Sequence, residues 1–125
     1  MKRAARYGLF LVIPACMASH AADESRVTQV DDGGQRIPVS TVAPAYPAAA
    51  HRERIEGDVH VCFNVDREGR PYRIAVRSSS NRVFEKPSIR AIRDSRYQPV
   101  PAGESVPAIK TCRTFRFRLE SDAAD

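Results

Sequence analysis

The chain has 125 residues, 42% of them hydrophobic, which allows one domain with a core and leaves no apolar run of the roughly 20 residues that a membrane span needs. Its formal charge of +5 falls to +2 once Lys2, Arg3 and Arg6 are set aside as part of a leader, leaving 17 basic against 15 acidic residues. Such a balance is no electrostatic footprint of a nucleic-acid binder, and export argues against one as well.

Lys2, Arg3 and Arg6 precede the apolar stretch Leu9 to Ala18, and Ser19-His20-Ala21 supplies small residues at a cleavage site. Residues 1–21 therefore read as a cleaved secretory signal and the protein as periplasmic. The minor alternative is a lipoprotein anchored through Cys16, in Ile13-Pro14-Ala15-Cys16. Residues 22–41 are polar and acidic around Asp31-Asp32-Gly33-Gly34 and read as a flexible linker, with at most a short edge strand in Ile37 to Val42. The folded unit is expected over 42–120, followed by a disordered tail, 121–125.

Within that unit, Tyr46-Pro47-Ala48-Ala49-Ala50 starts a helix that Gly57 ends. Val59, Val61, Phe63 and Val65 alternate with Asp58, His60, Cys62 and Asn64, the period of a strand with one buried face. Asp66-Arg67-Glu68-Gly69 is a turn, and a second alternation starts at Tyr72. Phe84, Ser88, Ala91, Ile92 and Ser95 share one face of a second helix, capped from Ser78-Ser79-Ser80-Asn81. A loop, Tyr97 to Gly103, leads to a final strand from about Ala108 to Leu119, with Phe115, Phe117 and Leu119 inward. Helix, strand, strand, helix, strand with a right-handed crossover gives an α+β fold. It has two layers: a three-stranded antiparallel sheet in the order 2-1-3 and two helices on one of its faces. The last strand is then a long free edge.

These residues, in this order, resemble the C-terminal domain of TonB-type energy transducers. The resemblance is carried by Pro44-x-Tyr46-Pro47, Ile55-Glu56-Gly57, Val59-x-Val61-x-Phe63-x-Val65-Asp66 and Gly69, then by Ser78-Ser79, Phe84, Ser88-Ile89, Ala91-Ile92, Arg96-Tyr97-x-Pro99, Gly103 and Phe115-x-Phe117-x-Leu119. It covers roughly Val42 to Leu119. Ser95 departs from it, standing where the family often has Trp. The resemblance implies a domain whose last strand pairs with an extended segment of an outer-membrane receptor, serving transport. The family's uncleaved membrane helix and proline-rich spacer have no counterpart in residues 1–41 as read here, so energy transduction is not carried over.

Cys62 and Cys112 sit on neighbouring strands, at positions opposite in parity to the core residues. Both thiols should reach the outer sheet face, close enough for a disulfide. Two free thiols, or a metal site with His60, are the weaker alternatives, and no metal or other cofactor is expected. No catalytic set is visible: His51, with Glu53 and Glu56 nearby, reads as a solvated helix face, so an enzyme is not expected. Between Arg67 and Arg118 lie 13 Lys or Arg residues against four acidic ones. Arg73 and Arg77 on the second strand, with Arg116 and Arg118 on the last, read as a possible basic outer face. The expected partner-binding edge is Lys110, Arg113, Thr114, Arg116 and Arg118, which would take a protein or peptide segment by strand addition. That segment would come from a TonB-dependent outer-membrane receptor or an envelope complex. The alternative reading is a structural or accessory component of such a complex, or a peptidoglycan-docking module. A homodimer through the same edge is also open.

Overall fold

A computed structural model describes residues 24–120. The expected signal 1–21 with Cys16, and the tail 121–125, lie outside the described residues. In chain order the elements are β1 (Glu24–Asp32), β2 (Pro38–Ser40), α1 (Ala48–Arg52), β3 (Gly57–Val65), β4 (Pro71–Ser79), a 3-10 turn (Arg82–Phe84), α2 (Glu85–Asp94), β5 (Arg96–Tyr97) and β6 (Thr111–Glu120). The fold is α+β. An antiparallel four-stranded sheet runs in the order β1-β6-β3-β4, and β2 pairs with β5 in a separate two-stranded ladder.

The alternation in β3 and β6 explains the core. Val59, Val61, Phe63, Phe115 and Phe117 are fully buried, and α2 meets them with Phe84, Ser88, Ala91, Ile92 and, at its end, Ser95. Phe84 stacks on Phe117 with ring centroids 4.2 Å apart. Tyr46 meets both rings edge-on at 5.5 and 5.6 Å. The Asn81 side chain accepts from the Val83 N–H at 3.0 Å and so caps the turn into α2. Pro87 falls within the first turn of α2, where its missing N–H is harmless. Helix α1 is shorter than its alanine run suggests, because Arg54 turns into the left-handed region (φ 56°) two residues after Arg52.

Two expectations are corrected. The expected sheet order survives as β4-β3-β6, but a fourth strand lies outside β6. That strand is β1, from the segment read as a flexible linker: Glu24 to Asp32 pair with Glu120 to Cys112 without a break in register. Edge pairing needs backbone groups rather than apolar side chains, so a polar composition did not reveal it. The rest of that segment is also tied down. Arg36 donates to the carbonyls of Val65 and Asp66 at 2.8 Å and of Gln98 at 3.0 Å. The Gln98 N–H reaches the Ile37 carbonyl at 2.8 Å. Gly33 and Gly34, at φ 70° and 83°, turn the chain back from β1, and a Cβ on Gly34 would fall 2.5 Å from Thr111 Oγ1.

Candidate functional site

The sheet has two outer strands, and they differ in kind. β4 opens with Pro71 and breaks register twice against β3. Arg73 stands at one break, in the left-handed region (φ 50°), and Arg77 at the other. Breaks and an initial proline make a poor template for another strand. The β1/β6 side is regular over nine residues.

β6 places its side chains by parity. Phe115 and Phe117 face the core, and Arg113 faces the same way and is 1% exposed. Arg113 therefore does not belong to an accessible surface, which corrects its assignment to a partner-facing set. Its guanidinium is held on three sides: by the Asp31 carboxylate of β1, by Tyr97 Oη at 2.7 Å and by Ser95 Oγ at 3.3 Å. Arg113 lies opposite Asp31 in the register. Ser95 also donates to the Ala91 carbonyl at 2.7 Å and accepts the Val42 N–H at 3.1 Å. An indole at position 95 would offer the guanidinium no such acceptor. Burial is the main cause that pushes the Tyr97 hydroxyl up to about 12; Arg113 pulls it down and Asp31 pushes it up.

Two outward positions of β6, Thr114 and Arg118, have side-chain partners of their own. Thr114 Oγ1 lies 2.9 Å from His60 Nδ1. Arg118 donates to Asp58 Oδ1 at 2.9 Å and to the Gly57 carbonyl at 3.1 Å, with Glu56 at 3.7 Å. Arg116 is exposed between Thr28 and Asp58. Lys110 precedes the first residue of the strand. The four arginines read as one basic face are not brought together: β3, carrying Asp58, separates Arg116 and Arg118 from Arg73 and Arg77.

Cys62 and Cys112 are directly opposed across β3 and β6 and are joined by a disulfide. His60 Nε2 stands 3.7 Å from Cys62 Sγ. These three residues would be a soft metal-ligand set as free thiols, but bonded sulfurs offer no thiolate. Asp31, Arg36, Ser95 and Tyr97 were not singled out from the sequence as site residues. One signal was available: Arg113 is odd-numbered like Phe115 and Phe117, which by period two already turns it inward.

A helix-backed antiparallel sheet, regular along its β1/β6 side, defines a two-layer α+β domain. The sequence matches the family described as Gram-negative bacterial TonB protein C-terminal over residues 42–119, and the chain belongs to that family. It is similar to Protein TonB of Klebsiella pneumoniae, 38% identical over 82 residues covering 65% of this chain and 32% of the relative. Protein TonB of Escherichia coli K12 is 36% identical over 87 residues, covering 69% and 36%. The chain thus spans about a third of the length of these relatives. The solution NMR structure of the Pseudomonas aeruginosa TonB CTD aligns with a TM-score of 0.59 and 27% identity, over 72% of this chain and 92% of that one. β1 and β2 lie before the residues that the family match covers.

Proposed function

We propose that this domain is a periplasmic protein-interaction module that takes an extended segment of an envelope partner by strand addition along the outer edge of β6. A TonB-dependent outer-membrane receptor is the partner the family suggests. The role is binding, not catalysis, and not energy transduction by this chain itself. One observation carries the reading: β6 already holds an added strand, β1, over nine residues in unbroken register. The opposite edge of the sheet is irregular. In the sheet β1 pairs with β6 alone and is joined to the rest of the domain through Gly33-Gly34, so its departure would leave the pairing of β6, β3 and β4 in place.

The test is to lock β1 in place. Thr28 and Arg116 are directly opposed, so Thr28→Cys with Arg116→Cys allows an oxidised cross-link between the strands. Binding is read by fluorescence anisotropy on synthetic peptides from the periplasmic N-terminal segments of outer-membrane receptors. The unlocked chain should bind a subset of them and the locked chain none. Equal binding by both would move the partner to another surface.

A further inference from the structure

β1 displays what the outer edge of β6 accepts. Beyond the exposed Ser25 opposite Leu119, three of its side chains turn towards the core side: Val27 opposite Phe117, Gln29 opposite Phe115 and Asp31 opposite Arg113. Backbone pairing is nearly indifferent to sequence, so these three positions carry the selectivity. The first two lie opposite aromatic residues and face no charge. Gln29 is an imperfect choice, since its buried Oε1 has no hydrogen-bond partner among the described residues. The third position is demanding. Arg113 is permanently charged and 1% exposed. Its other two side-chain partners, Tyr97 and Ser95, are neutral, so Asp31 is its carboxylate among the described residues. A strand without an acid there would cover an unbalanced buried cation, which is the costly way to break such a pair.

We infer that the outer edge of β6 selects a partner strand, antiparallel to it, with a carboxylate in the position of Asp31 and apolar or small polar side chains two and four residues earlier. This rests on the strand-addition reading and adds the chemistry of the segment. The same contact fixes register, because a slip of one residue turns the acid to the opposite face. It also keeps β1 in place against segments that lack the acid, so β1 acts as a filter as well as a cover.

The experiment uses the full chain carrying Asp31→Asn, whose own strand no longer supplies the carboxylate. Three end-blocked, fluorescein-labelled nonapeptides are the probes: the sequence of Glu24–Asp32, the same with Asp31→Asn, and the same with Val30 and Asp31 exchanged. The third has the composition and charge of the first. The first should bind about tenfold to a hundredfold more tightly than either of the others. Equal binding by all three would overturn the selectivity while leaving strand addition standing. Binding by none would overturn strand addition at β6 itself. An Arg113→Met chain, checked for a cooperative melt, should bind the first two peptides alike. Discrimination that persists there would remove Arg113 from the role, and the peptide comparison stands even if that variant does not fold.

Discussion

Replacing Asp31 with alanine removes the carboxylate from a guanidinium that is 1% exposed, while Asp31 itself is 30% exposed. Breaking an ion pair with both partners dry costs about 3–5 kcal/mol. Here the loss is smaller. Water reaches the vacated side, and Arg113 keeps Tyr97 Oη at 2.7 Å and Ser95 Oγ at 3.3 Å. A loss of about 2 kcal/mol follows from one charge-assisted pair, equivalent to a fall of about 10 °C in Tm for a domain of this size. Urea unfolding followed by circular dichroism gives the midpoint, and hydrogen exchange of the β1 amides shows whether that strand loosens first. The decisive comparison adds Arg113→Met to Asp31→Ala. If an uncompensated charge is what destabilises the single variant, the double variant regains most of the loss. An Asp31→Ala chain within about 0.5 kcal/mol of wild type, or a double variant no better than the single one, would refute the reasoning.

Cys112→Ser opens a loop with a sequence separation of 50 and should destabilise by about 4 kcal/mol in the chain-entropy model; thermal melts without reductant measure it, and thiol titration of the unfolded wild type should find no free pair. Gly57→Ala should cost about 1–3 kcal/mol by overpacking, because its Cβ would fall 2.7 Å from the Phe84 ring and 2.6 Å from Ser80 Oγ; the urea midpoint reports it. Tyr97 keeps its proton to about pH 12 in the fold against 10 for the ordinary side chain. Stability should therefore fall as pH rises from about 10 to about 12, where the unfolded chain has released the proton and the folded one has not. Tyr97→Phe should flatten that stretch of the pH profile.

Much of the domain was legible in the sequence, for reasons that can be named. Period two in Val59 to Val65 and in Phe115 to Leu119 marks strands, because each residue type reports one face of a sheet. The Phe84, Ser88, Ala91, Ile92, Ser95 face is recovered residue by residue, since α2 meets the core along one stripe. The neighbouring placement of β3 and β6 was also readable, from the handedness of the crossover. β1 was not. It adds Val27 to the periphery of the core and is otherwise held by backbone pairing and polar contacts such as Asp31–Arg113, which leave little trace in composition. Arg113 reads as part of the binding edge because the backbone of the last strand is expected to pair with a partner, although its parity turns its side chain inward. The bonds of Arg36 to three carbonyls span about 30 to 60 residues of sequence, and no local pattern encodes such a reach.

The pairing of β1 with β6 joins the two ends of the described chain, and this bears on the order in which the protein can assemble. Of the described strands β1 is made first and its template last, so it must wait while the others form; contacts so remote in sequence are slow to close. Glu24-Ser25-Arg26-Val27-Thr28-Gln29-Val30-Asp31-Asp32 is suited to that delay, with charges at both ends and no three apolar residues in a row to nucleate aggregation. A chain cut short before Thr111 would therefore lose more than one strand: β3 would be left with a bare flank, and β1 would have nowhere to go.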